Sequence, residues 1–205
     1  MTDPTGGAPA PQGPGNWQTP PPPAPGGFQT APVAAEPGPA PGVVYADLTN
    51  RIIAAVIDGV ILTAVWFVVG GAVLSGIALS GGFGMLLIVG LVLGVLWAVG
   101  TALYFIYTWT TMRASPGQKI LKLETVNAAD GSTLTRDQAI KRWAFLFGPT
   151  AVATVLSNIV GLLGSLLSLL ALGYIIYLVY TISQSAKRQG FHDVQAGTVV
   201  VKRVA

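Results

Sequence analysis

The chain has 205 residues, 52% of them hydrophobic and 9% charged, with a net charge of +3. Soluble domains carry about 25% charged residues, so these proportions exclude an ordinary water-soluble fold and point to the membrane. The absence of cysteine excludes disulfides, a thiolate nucleophile and cysteine-ligated metal.

Residues 1–42 hold 13 of the 15 prolines and eight of the 26 glycines, without a fixed period. Such a segment cannot bury a core, and a disordered Pro/Gly-rich tail is expected over 1–44. PQGP at 11–14 and PPAP at 22–25 fit a PxxP ligand pattern. The same prolines also suit a passive spacer. Met1 is followed by neither a basic cluster nor a short apolar core, so no cleavable signal peptide is expected.

The membrane domain should occupy 45–205. After Asp58 no charge appears until Arg113, and after Arg142 none until Lys187. A helical span needs about 20 residues, so each gap is long enough for two. The first gap predicts spans over about 52–74 and 85–108, broken by SGGFG at 80–84. Tyr104, Tyr107 and Trp109 ahead of Arg113 mark a headgroup level.

The second gap is one very long helix or a hairpin of two, about 143–160 and 164–183, turning near Gly161–Gly164. Basic residues decide between them. Six lie in 113–142 (Arg113, Lys119, Lys122, Arg136, Lys141, Arg142), four follow the last span (Lys187, Arg188, Lys202, Arg203), and Arg51 precedes the first. Four spans put all eleven on the cytoplasmic side, as the positive-inside bias requires, with both termini cytoplasmic. The fold class is therefore an all-α membrane protein: four transmembrane helices in two hairpins, a small cytoplasmic β-ribbon and a disordered N-terminal tail. The ribbon pairs KILKLETV at 119–126 with GTVVVKRV near the C-terminus. Thr135 and Gln138 fit a capping box for the helix leading into the third span.

Asp58 is the residue that asks for chemistry. It lies seven residues past Arg51 on the same helix face, about 10.5 Å along the axis. A carboxylate there must face protein or water, and Arg51 or Arg142 could pair with it. One reading is a site that exchanges a proton or cation. The other is an ion pair that only locks helices. His192 and Asp193 follow the last span by about ten residues; they either close a polar cluster with Asp58 and Arg51 or cap a turn before the final strand. A lone histidine without cysteine is a poor metal site, no serine is marked out as a nucleophile, and SPGQK lacks phosphate-loop spacing. No enzyme activity, metal or cofactor is expected.

Gly90 and Gly94 form a GxxxG, and Ser157, Gly161 and Ser165 repeat small residues every four, which suits close helix packing. Tyr174, Tyr177 and Tyr180 share a face and suit anchoring or packing. Asn158 suits a bond across helices.

RIIAAVID in the first span, SPGQKILKLETVNAADGSTLTRDQAIKR in the loop and GFHDVQAGTVVVKR near the end together resemble the RDD family of membrane proteins. That resemblance covers roughly 45–203 and maps the family's arginine onto Arg51 and its two aspartates onto Asp58 and Asp193. It implies a multi-pass bacterial membrane protein, with transport, including cation–proton exchange, as the usual suggestion. Lys122 departs from the pattern, where glycine is the common residue. The candidate functional cluster is thus Arg51, Asp58 and Asp193, with Arg142 and His192 as ion-pair or mouth residues. The expected function is transport of an ion or small solute; the alternative is a non-transporting adaptor whose tail or ribbon recruits a partner. The partners this implies are the lipid bilayer, a second copy of the chain in a homo-oligomer and a protein partner for the proline-rich tail, with no nucleic acid.

Overall fold

The computed structural model describes residues 37–78, 83–157 and 162–204. Residues 1–36 with both PxxP matches, most of SGGFG, Asn158 and Gly161 lie outside that set. The order of elements is β1 (Val43–Tyr45), α1 (Leu48–Ala78), α2 (Phe83–Thr111), α3 (Pro116–Ile120), β2 (Leu123–Asn127), α4 (Arg136–Ser157), α5 (Leu162–Gln184), α6 (Phe191–Ala196) and β3 (Thr198–Arg203).

Three helices are long and apolar enough to cross a membrane, within Leu48–Val73, Ile88–Thr111 and Leu166–Gln184. Their outer faces carry large apolar side chains: Phe67 and Val68 are each 74% exposed and Leu170 is 70% exposed. In water that surface would cost about 25 cal/mol per Å², which a soluble bundle would not leave open. The belt is therefore a lipid-facing one. The expected third span corresponds to α4, which does not match the other three in apolarity. Its first two turns carry Arg136, Asp137, Lys141 and Arg142, and Pro149 lies within it. The Thr135–Gln138 box at its start is present, with Gln138 N–H donating to Thr135 Oγ1 at 3.2 Å and Thr135 N–H to Gln138 Oε1 at 3.1 Å.

α4 packs mainly on α5 and α2, whereas α1 meets α5 at few points. A Cβ at Gly164 would lie 2.6 Å from Ser157 Cα, so α4 and α5 approach closely at the hairpin end. Gly94 is buried, as small-residue packing predicts. Tyr174 donates to the carbonyl of Phe145 across that hairpin, while Tyr180 stays 59% exposed. The three tyrosines thus divide between packing and the outer surface.

The expected two-stranded ribbon is a three-stranded antiparallel sheet, ordered β1-β3-β2. Two corrections follow. Val43–Tyr45, whose first two residues the sequence assigned to the tail, is an edge strand paired with Val201–Arg203. Residues 119–120 are helical, because Ser115 and Gln118 form a capping box ahead of Pro116 and start α3 instead. β2 then begins only after Lys122, which adopts φ +57°. That left-handed conformation favours glycine and explains why lysine is unusual there. Val199, Val200 and Val201 of β3 are almost fully buried, so the sheet and the adjoining helix ends hold much of the core. Because β1 precedes α1, β2 lies between α2 and α4, and β3 follows α5, one sheet ties together three separate points of the chain.

Candidate functional site

Asp193 is fully buried and is the hub of the sheet-side end. It is the third residue of α6, and its Oδ2 accepts the N–H of Gly190 at 2.9 Å, satisfying a donor that the helix start leaves free. The same oxygen accepts Arg51 Nη2 at 2.5 Å, and Oδ1 accepts Arg142 Nη1. Arg142 Nη1 also donates to Thr198 Oγ1 at 2.7 Å, and Arg51 Nη1 donates to the carbonyl of Arg188. One carboxylate thus joins the start of α1, the start of α4 and the turn after α5. A Cβ at Gly190 would lie 2.7 Å from His192 Cε1 and 2.8 Å from Ile182 Cγ1, so this approach requires glycine.

Burial first, and then the charges of Arg142 and Arg51, hold the His192 imidazole well below its ordinary pKa. It is therefore neutral at pH 7, and its Nε2, 3.5 Å from Asp193 Oδ2, forms no ion pair there.

Asp58 sits in a different setting. No guanidinium bonds it among the described residues. Its Oδ1 accepts Gly117 N–H at 2.8 Å and Tyr104 O–H at 2.9 Å, and its Oδ2 accepts the Ser115 hydroxyl. Three donors satisfy the buried carboxylate without a paired cation. The expected Arg51–Asp58 or Arg142–Asp58 pair is replaced, because both arginines turn to Asp193. The three groups that hold Asp58 were missed by the sequence reading, although S-x-x-Q at 115–118 is a visible helix-start signal. A Cβ at Gly117 would lie 2.2 Å from the carbonyl oxygen of Ala54. The loop backbone is therefore pressed flat on α1, at the level of Asp58.

Between these two centres lies a cavity of about 390 Å³, walled by α1, α2, α4 and α5. Arg51, Asp58, Ser115, Gln118, Arg142 and His192 line it on the sheet side, and Leu62, Trp97, Phe147 and Ile175 line it further in. The volume is within the range of small-molecule sites. The cation of Arg142 also rests over the Trp109 ring, 4.9 Å from its centroid. Among the described residues no three His, Asp or Glu side chains gather as a metal site. Asp58, Asp193, Arg51, Arg142 and His192 thus all belong to the sheet-side end, but as two hydrogen-bonded centres facing one cavity.

The pattern of the RDD family matches residues 45–197, which takes in Asp58, Asp193, both arginines and the four long helices that wall the cavity. No curated protein and no solved structure matches the chain. With well over half of its length covered, this membrane protein belongs to the RDD family.

Proposed function

We propose that the protein is a four-span carrier of the cell membrane that takes a small solute into the cavity between its helices. The observation that carries this reading is the cavity itself, a polar-ended space inside a lipid-facing bundle. Four crossings are supported by the sheet. Strands from before α1, between α2 and α4, and after α5 lie side by side, which supports a reading in which α1–α2 and α4–α5 each leave and return. The eleven Lys and Arg residues all lie outside the long uncharged runs, and with four crossings they share the side of the sheet, which favours a cytoplasmic sheet. α1 has 31 residues and is about 46 Å long, roughly 16 Å more than the hydrocarbon needs. Since α3 rides beside Asp58, the excess belongs to the first turns of α1, and Asp58 marks the inner boundary of the span. In this reading Asp58 fastens the loop that floors the cavity, and the Asp193 clasp holds the two hairpins together beneath it.

The absence of cysteine permits a test that needs no knowledge of the solute. Thr101 lines the cavity and is 7% exposed, while Leu103 is 66% exposed on the lipid side. Thr101→Cys should react with a membrane-impermeant thiol reagent from outside intact cells and also from the cytoplasmic face of inverted vesicles. Leu103→Cys should react from neither. Labelling of Thr101→Cys from one face only would mean a one-sided pocket and would return the protein to the adaptor reading.

A further inference from the structure

The two ends of the cavity differ in chemistry. The sheet-side end presents Arg51, Asp58, Ser115, Gln118, Arg142 and His192, with the Asp58 carboxylate already held by three donors, whereas the inner end presents Leu62, Trp97, Phe147 and Ile175. The Thr101 and Thr150 hydroxyls donate to carbonyls of their own helices, Ala98 at 2.9 Å and Phe147 at 2.7 Å. Those two threonines therefore add little free polarity to the inner wall. From Arg51 to Leu62 the cavity runs eleven residues of α1, about 16 Å. The Trp97 ring lies tilted against Trp66, their centroids 5.1 Å apart, which places the inner end well above Asp58.

The polar end also keeps donors with nothing to bond. Arg142 and Trp109, 2% and 1% exposed, both line the cavity, and the buried Nε of Arg142 and Nε1 of Trp109 have no hydrogen-bond partner. Both are N–H groups that can only donate, so what they lack is an acceptor oxygen. His192 Nδ1 is likewise unpartnered. α1 and α5 meet at few points, and Ile52, Gly59, Ile175 and Val179 of those two helices line the cavity, so in this inference a slender molecule enters between them.

We infer that the cavity binds a single-chain amphiphile with an anionic head, its head oxygens at Arg142 and Trp109 and its acyl chain running inward past Gly59 to Trp97. The inference rests on the cavity being the solute site and names what enters it. A fatty-acid carboxylate and the phosphate of a one-chain lipid share this chemistry.

The test uses tryptophan fluorescence of the full chain in lipid nanodiscs, since Trp97 and Trp109 line the cavity and bromine quenches indole on contact. ω-Bromododecanoate and a phosphate-headed one-chain lipid carrying the same bromoacyl group are titrated separately. The matching bromoalcohol, the matching trimethylammonium, acetate and inorganic phosphate serve as comparisons. Saturable quenching is expected from one or both anionic chains, about tenfold tighter than from the neutral or cationic chain, a gap of about 1.4 kcal/mol. Whichever anion binds tighter identifies the source. Gly59 lines the cavity and a Cβ there meets nothing within 4 Å, so Gly59→Leu adds bulk at the cavity wall without a backbone clash and should abolish saturable quenching in a folded protein. Trp109→Phe, which removes the Nε1–H, keeps an aromatic ring under Arg142 and leaves Trp97 as the reporter, should weaken only the anionic chains.

Equal affinity for the anionic, neutral and cationic heads would overturn the inference, as would quenching that survives Gly59→Leu. Two-sided labelling of Thr101→Cys without saturable binding of an anionic chain would leave the carrier reading standing and sink this one. Binding with one-sided labelling would do the reverse.

Discussion

Replacing Asp193 by Asn should cost far more than the same change at Asp58, and the structure gives the reason. Asp193 is 0% exposed and both of its oxygens are engaged, by Arg51 and Gly190 on one side and Arg142 on the other. An amide removes the charge that both guanidinium groups face, keeps one acceptor oxygen and in either orientation turns its NH₂ towards a guanidinium, leaving a buried cation unpaired. Breaking a buried pair in this way costs about 3–5 kcal/mol. At Asp58 the amide oxygen can still take Gly117 N–H and Tyr104 O–H, and its NH₂ can donate to Ser115 Oγ once that hydroxyl turns to accept. The loss is then the charge assistance alone, about 1 kcal/mol. Reversible unfolding in mixed micelles, followed by tryptophan fluorescence, measures both variants. A gap of about 2–4 kcal/mol is expected from these two costs. Equal losses, or a loss below about 1 kcal/mol at Asp193, would refute the assignment of the two carboxylates to different roles.

Gly117→Ala brings a Cβ to 2.2 Å from the Ala54 carbonyl and should lift α3 off α1. The expected cost is about 1–3 kcal/mol, with new protease cleavage in 113–122 as the readout. Lys122→Gly should stabilise the protein by up to about 1 kcal/mol, since relief of the left-handed strain at φ +57° exceeds the added chain entropy; a lower unfolding midpoint would contradict this. His192 is held well below its ordinary pKa by burial and by Arg142 and Arg51. The unfolded chain therefore binds a proton that the folded one refuses, and stability falls as pH drops below the unfolded value of about 6.5 towards the depressed folded one. Unfolding midpoints measured from pH 7.5 down to about 5 should show that decline, and His192→Gln should flatten it.

The fold was largely readable because membrane helices are written as long uncharged runs, and the charges that bound them at Arg113, Arg142 and Lys187 are explicit. β3 was readable for a related reason, its run of valines. β1 was not, since three residues at the end of a proline-rich tail become a strand only through pairing with Val201–Arg203. The site was half readable. Arg51, Asp58, Arg142, His192 and Asp193 do gather at one end, but their pairing depends on distances that spacing along α1 cannot supply. Arg51 and Asp58 share a helix face, yet Arg51 turns to Asp193, 142 positions away, and the loop arrives to take Asp58. Tyr104 read as a headgroup anchor, and its bond to Asp58 needed the α1–α2 packing to become visible.

The most direct measurement is the rate at which a water-soluble thiol reagent modifies Thr101→Cys in inverted vesicles, with and without Gly59→Leu in the same chain. Both positions line the cavity, from α2 and α1 respectively, and a side chain at Gly59 has open space to occupy. If the cavity is the solute's route, Gly59→Leu slows modification about tenfold or more, equivalent to at least about 1.4 kcal/mol. An unchanged rate would mean that Thr101 is reached by another path and that the cavity is not the route.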